Sequence, residues 1–294
     1  MTTSLATGSP ITSQQVYPVF APRPADGHKG TFGSVAILGG AAGMTGAAML
    51  AARAALKAGA GKVFVALVQT PIPVAYDTVH PELMLNDAES FLEDAANMSA
   101  WAAGCGLGQA SHALAMLRQL FLRRQERPLV LDADGLNALA CGSIAPTWGR
   151  GEVVLTPHPT EAARLLATDT TSIQEDRPGA AKAISQRYDA WVVLKGANTI
   201  VCAPDQSWQT NPTGNVGLAT GGTGDVLGGI IVSLLAQGFE AAIAVPAAVW
   251  LHGAAADLLV ERGIGPIGMV ATDLTDAVRD LRNHTTTLAR IGFH

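Results

Sequence analysis

Residues 213–238 read TGNVGLATGGTGDVLGGIIVSLLAQG. Glycines stand at 214, 217, 221, 222 and 224, and from 226 to 237 the run is almost entirely apolar. Asp225 marks the junction. The pattern predicts a glycine loop that feeds the N-terminus of a buried helix. Backbone N–H groups in a first helical turn lack intrahelical partners, and the helix dipole favours an anion there. Glycine lets the backbone come close and adopt positive φ. The expected ligand is a phosphate. A carboxylate beside an anion site gains nothing as a binder, so Asp225 reads as a base. The bland alternative, a tight turn with Asp225 as helix cap, leaves the density of glycine unexplained.

Working outward, short apolar runs alternate with helical patterns. SVAILGG, from Ser34, predicts a buried strand and turn. An alanine-rich helix over 45–58 and the strand KVFVAL over 62–67 follow. That strand–helix–strand unit indicates a parallel sheet. Further strands are predicted over 100–105, 128–131, 152–155 and 191–194, with 199–202 and 207–210 as a small hairpin. Helices are expected over 111–124, 160–167 and 173–188, near 240–262, and over 273–283, with Thr272 and Asp273 as caps of the last. The fold class is α/β, a mostly parallel sheet with helices on both faces. A flexible N-terminal tail is expected over 1–24, a single domain over 25–284 and a C-terminal tail over 285–294. Loops that follow the strands converge on one crevice, where open parallel sheets bind ligands.

Composition narrows the class. Of 294 residues, 48% are hydrophobic and 15% charged, which implies a large buried core. The net charge of −5 argues against a nucleic-acid surface. Three cysteines, Cys105, Cys141 and Cys202, without CxxC spacing suit reduced thiols in the cytoplasm. No signal peptide and no membrane span is expected. Two glycine clusters are decoys. The glycines of 39–46 do not fall as GxGxxG, and no acid ends the following strand. The GAGK at 59–62 lacks the earlier glycine and the Ser/Thr of a phosphate-binding P-loop.

GGTGD at 221–225 resembles the motif of the ribokinase-like superfamily. The run NVGLATGGTGDVLGG is similar to one branch, the ADP/ATP-dependent NAD(P)H-hydrate dehydratases. LDADGLNAL (131–139), LTPHPTE (155–161), LKGANTIV (194–201) and LHG (251–253) extend the match in order. Cys105 stands where the family usually has Pro, Thr160 where it has Gly, and Val216 departs from its NPG. None of these touches an ionisable catalytic group.

The resemblance implies a ribokinase-like α/β/α sandwich. It implies dehydration of the S form of NADHX or NADPHX at the expense of ADP, by phosphorylation of the C6 hydroxyl and elimination of phosphate. Asp225 would be the catalytic base and also touch substrate. Gly222, Thr223 and Gly224 would form the phosphate loop. Lys195, Gly196, Ala197, Asn198 and Thr199, with Gly224, would bind the nucleotide, Lys195 as a point charge. Ala47, Gly108 and His158 would bind the substrate. Mg²⁺ is expected with ADP, held mostly by phosphates and water, with no metal ligands assigned in the chain. The resemblance also implies a homotetramer and a separate epimerase as functional partner, because the stretch before residue 25 has no room for an epimerase domain. Asp132, Asp134 and Asn137 read equally as helix caps and as ligands of Mg²⁺-bound water, and stay outside the catalytic set. His252, inside a helix, reads as packing. The alternatives are a kinase for a vitamin-precursor alcohol of the hydroxymethylpyrimidine or thiazole type, and a non-catalytic nucleotide binder.

Overall fold

The apolar runs become strands β1 (Ser9–Pro10), β2 (Ser34–Gly39), β3 (Lys62–Leu67), β4 (Met84–Asp87), β5 (Ala100–Ala103), β6 (Leu129–Leu131), β7 (Val153–Leu155), β8 (Trp191–Leu194), β9 (Ile200–Cys202) and β10 (Trp208–Thr210). A computed structural model describes residues 8–93, 97–149 and 151–283. Its strands form one sheet in the order β1-β10-β9-β8-β7-β6-β5-β2-β3-β4. The pairings from β4 across to β8 are parallel, and β9 runs antiparallel to both β8 and β10.

Side chains alternate between the faces. Val35, Ile37, Val63 and Val65 enter one core; Ala36, Leu38, Ala66 and Trp101 enter the other. The central strands are buried on both sides, so they read as continuous apolar runs. Helices α2 (Thr45–Lys57), α9 (Thr223–Ala236), α10 (Ala241–Glu261) and α11 (Ala271–Asn283) supply the first core. Helices α3 (Ala88–Glu93), α4 (Ser111–Arg123), α5 (Ala133–Ala140), α6 (Pro159–Leu166), α7 (Thr170–Glu175) and α8 (Arg177–Tyr188) supply the second. The result is the expected three-layer sandwich.

The strand order reverses at β2, which pairs with both β3 and β5. Loops leaving β2 and β5 therefore diverge at this switch point and open a crevice. The N-terminus of α9 faces it, because α9 packs across β5 and β6.

Several expectations need correction. The N-terminal stretch is packed from Ser9 onward. β1 pairs with β10, the helix α1 (Ser13–Val16) follows, and Ile11, Val16, Val19 and Phe20 are buried. Residues 1–7 and the expected C-terminal tail over 285–294 lie outside the described residues. The helix expected over 173–188 is split at Asp176, whose side chain accepts from the Gly179 amide at 2.9 Å and caps α8. β4 and α3 were not expected. β4 is half-buried throughout and carries Asn86 and Asp87, so it offers no apolar run to read. α11 begins at Ala271. Asp273 reaches back to accept from the Val270 amide at 3.0 Å, while Thr272 lies inside the helix. α10 is long and apolar enough to cross a membrane by length and composition alone, and most of it is buried inside this fold.

Candidate active site

Gly222 is the N-cap of α9 and has φ of 90°. That conformation favours glycine, and a Cβ there would fall 2.6 Å from Leu50 Cδ1, which would have to shift. Thr223 opens the helix and ties the loop down. Its hydroxyl lies 2.8 Å from the Leu218 carbonyl and 3.0 Å from that of Thr220. The Thr223 amide makes a long turn contact to Thr220 at 3.4 Å. Gly224 and Asp225 follow within the first turn, where amides lack i−4 partners. Asp225 is therefore not the cap; it projects from the first turn of the helix.

Burial pushes the Asp225 carboxyl up to about 6; the Cys105 thiol, which donates to it, acts in the opposite sense, the Asp132 carboxylate pushes it up further, and Lys195 pulls it down. Burial and the Asp225 charge hold the Cys105 thiol well above the usual range, so it stays protonated as a donor. Cys105 is 2% exposed at the corner after β5, and its carbonyl accepts from the Gly40 amide at 3.0 Å. The β2 loop, the β5 loop and α9 thus meet at Asp225.

Lys195 is not a free cation. Its Nζ lies 2.8 Å from Asp132 Oδ1 and 3.9 Å from Glu161 Oε2. Burial works against its charge, yet Asp132 and Glu161 outweigh that and raise its pKa. A Cβ built on Gly224 would sit 3.4 Å from Lys195 Nζ and 3.8 Å from Asp132 Oδ2. The ion pair therefore lies against the helix N-terminus. Asp132 is also the N-cap of α5, accepting from the Ala133 amide at 2.8 Å, so it combines capping with a place in the site. Asp134 instead accepts from the Gly108 amide at 2.8 Å, and Asn137 accepts from Arg164 at 2.8 Å.

His158 is the N-cap of α6. Its Nδ1 accepts from the amides of Thr160 (3.1 Å) and Glu161 (3.4 Å), and Glu161 Oε2 accepts from the His158 amide at 2.8 Å. This is a capping box with histidine in place of serine. Nδ1 as acceptor assigns the proton to Nε2, which lies 3.4 Å from Glu161 Oε1. Burial and Lys195 lower the His158 pKa, favouring the neutral ring. The cap reading is thus realised, while 46% of the side chain stays exposed. Ala47 and Gly108 come together around Met44. A Cβ on Gly106 would lie 3.2 Å from that of Ala47, and one on Gly108 would lie 3.9 Å from Met44 Cε.

A cavity of about 580 Å³ adjoins the loop. Lys195, Gly196, Ala197, Asn198, Thr199, Thr223 and Gly224 line it, together with residues of 211–219 and Leu227, Val249 and His252. The segment expected to hold nucleotide therefore lines one cavity with the loop expected to hold phosphate. Asn198 takes a left-handed conformation, and Thr199 Oγ1 donates to the Gly196 carbonyl at 2.9 Å. His252 does more than pack. Burial lowers its pKa to about 4, so the ring is neutral and its Nε2 bonds the Thr223 carbonyl at 2.9 Å. A larger cavity of about 820 Å³ shares no lining residue with this site and lies at the opposite strand ends.

Sequence reasoning did not single out Glu161, Cys105 or Arg177 as parts of the site. The His158-x-x-Glu161 spacing was a readable capping signal. Arg177 Nη2 donates to the carbonyls of Leu194 (3.1 Å) and Lys195 (3.4 Å), which braces the start of the 195–199 segment from α8. No local signal marks that contact.

The chain is similar to known proteins in both sequence and structure. Residues 35–280 match the sequence family described as NAD(P)H-hydrate dehydratase. The chain is 46% identical over 270 residues to an ADP-dependent (S)-NAD(P)H-hydrate dehydratase of Neisseria meningitidis, covering 91% of each. It is 41% identical to a bifunctional NAD(P)H-hydrate repair enzyme of Moorella thermoacetica, covering 92% of this chain but 54% of that one. A crystal structure of the ADP/ATP-dependent NAD(P)H-hydrate dehydratase of Bacillus subtilis, co-crystallised with ATP and Mg²⁺, superposes with a TM-score of 0.82 at 31% identity, covering 98% of this chain and 100% of that one.

Proposed function

The chain belongs to the NAD(P)H-hydrate dehydratase family, and from that premise we propose that it dehydrates (S)-NADHX and (S)-NADPHX to NADH and NADPH at the expense of ADP. The observation that carries the chemistry is Asp225, a carboxylate with its pKa raised to about 6 in the first turn of α9. At neutral pH it is ionised, yet closer in basicity to its task than an ordinary aspartate.

In this reading Asp225 takes the C6 hydroxyl proton as that oxygen attacks the β-phosphorus of ADP. The bond from that phosphorus to the AMP oxygen breaks. First-turn amides of α9, with Gly222 and Gly224 as the glycines that admit the phosphate, stabilise the charge on the transferring group. The ring nitrogen's lone pair then expels phosphate from C6, a proton leaves C5 for the departing phosphate, and the C5–C6 double bond is restored. Lys195, Gly196, Ala197, Asn198 and Thr199 hold the nucleotide, while Ala47, Gly108 and the open face of His158 border the substrate. Among the described residues no group of three or more His, Cys, Asp or Glu is placed to hold a metal. Mg²⁺ accordingly fits as an ion carried in on the phosphates, where it would neutralise their charge.

The same base and loop would serve a kinase for a vitamin-precursor alcohol, but the relatives named above support dehydration. A homotetramer, a cytoplasmic location and partnership with a separate epimerase complete the reading. The bifunctional relatives, of which the chain spans about half, support a second activity acting alongside. The test is recovery of NADH absorbance from prepared NADHX with ADP, with ATP and with no nucleotide. Nucleotide-dependent recovery, greatest with ADP, is expected. Recovery that ignores nucleotide, or none with either, refutes the proposal.

A further inference from the structure

Asp257 lies in the C-terminal part of α10, where a helix dipole disfavours an acid. Its position needs another explanation, and its two oxygens supply one. Oδ2 accepts from the Gly214 amide at 2.8 Å, and Oδ1 accepts from Asn215 Nδ2 at 2.9 Å. Asn215 in turn accepts from the Gly217 amide at 3.0 Å and caps the short 3-10 turn Val216–Leu218. Gly214, Asn215, Val216 and Leu218 all line the 580 Å³ cavity, whereas Asp257 itself does not.

The rest of α10 holds the same segment. The Val249 carbonyl accepts from Asn211 Nδ2 at 3.2 Å, and the Trp250 carbonyl from Thr213 Oγ1 at 2.8 Å. A Cβ on Gly253 would fall 2.6 Å from the carbonyl carbon and oxygen of Thr213, so the helix lies directly against the backbone of the segment. His252 reaches from the same helix to the phosphate loop at Thr223. One helix thus fixes both the outer wall of the cavity and the loop beneath it, and Asp257 is the charged end of that clamp.

The geometry points to Asp257 as a positioning residue for the nucleotide: through Gly214 and Asn215 it holds the 213–219 wall in place before ADP arrives. It rests on the reading of this cavity as the nucleotide site. Preorganisation of a wall lowers the ordering cost of binding. It does not alter groups at the reacting phosphorus, so loss should appear in affinity and KM rather than in kcat. Hydrogen bonds to a carboxylate are stronger than neutral ones.

The test measures ADP binding by calorimetry, and kinetics with NADHX, for wild type, Asp257→Ala, Asp257→Asn and the double change Asp257→Asn with Asn215→Asp. Asp257→Ala is expected to weaken ADP binding about tenfold or more, with kcat at saturating ADP nearly unchanged. Asp257→Asn keeps an acceptor for Gly214 but sets two amide NH₂ groups against each other, so binding weakens. The double change restores the match with the two roles exchanged. The amide then carried by α10 donates to the carboxylate then carried by the wall, and that carboxylate keeps an oxygen for the Gly217 amide. Affinity should return to near the wild-type value. Thermal melts of the four proteins report folding, and the double variant keeps the test sharp if the alanine variant unfolds. Wild-type affinity in Asp257→Ala, or a double variant no better than Asp257→Asn, overturns the clamp. A wild-type chain that binds ADP without dehydrating NADHX overturns only the proposed function. One that binds no ADP overturns both.

Discussion

Asp225→Asn should make the protein more stable at neutral pH while abolishing turnover. Burial raises the Asp225 pKa from 3.8 to about 6. Between those values the folded state binds more protons than the unfolded one, so stability falls as pH rises through that window. Above the folded pKa the cost is fully present, and below the unfolded pKa it vanishes. At about 1.4 kcal/mol per pH unit the displacement corresponds to a cost of up to about 3 kcal/mol. Asparagine has the shape of the carboxyl and carries no charge, so it removes that cost. For a chain of this size the melting temperature should rise by about 5 °C at about pH 7.5. The gap should narrow as pH is lowered towards the ordinary aspartate pKa. Calorimetric melts of both proteins at several pH values, without nucleotide, measure it. Retained ADP binding in the variant, with NADHX turnover lost, completes the expected result. A variant that melts at or below wild type at pH 7.5, or a gap that does not depend on pH, refutes the assignment of Asp225 as a carboxylate strained by its site. Wild-type turnover in the variant refutes its role as base.

Lys195→Ala should raise the KM for ADP about tenfold and also lower stability, because it leaves the buried Asp132 carboxylate without its ion pair, a loss of about 3 kcal/mol. Steady-state kinetics and melts check the two effects; an unchanged KM would show that the segment does not bind nucleotide. The acid limb of kcat/KM should fall near pH 6, where Asp225 takes up its proton. Cys105→Ala should move that limb upward, because the thiol's hydrogen bond favours the ionised form, and Cys105→Ser should not. A limb that stays in place in the alanine variant separates Cys105 from the tuning of the base.

The parts of the fold legible in sequence were those written locally. β3 and β8 end where they are expected to, at Leu67 and Leu194, and the glycine loop opens α9 three residues before the apolar run read as its helix. Period and turn chemistry are short-range signals, and they also carried the parallel sheet and the crevice at its strand ends. What stayed hidden depends on long-range pairing. β1 is Ser9–Pro10, polar and short, and becomes a strand only because β10 offers an edge. The split at Asp176 was readable in retrospect from Asp176 and Pro178, but helical period on both sides masked it. In the site, Asp225 and the segment 195–199 could be named from their motifs. The partners that set their chemistry could not. Lys195 and Asp132 are 63 positions apart, and Asp257 is 43 from Gly214. No sequence periodicity encodes either pair.

The Lys195–Asp132 pair also changes what the lysine can do. A free lysine at a phosphate loop would add a full positive charge to the anion site. Here that charge is already opposed by Asp132 at 2.8 Å, with Glu161 at 3.9 Å. Two carboxylates and one ammonium carry a formal charge of −1 before Asp225 is counted. These three side chains by themselves therefore add no net positive charge behind the loop. The first-turn amides with their helix dipole, and the two remaining ammonium hydrogens, are then the donors left to a phosphate. The same arrangement explains the basicity of Asp225. An unopposed lysine would pull its pKa down and weaken the base, whereas the neutralised pair leaves burial to dominate. Strong phosphate attraction and a basic Asp225 are competing demands on one cation. Asp132 resolves them in favour of the base.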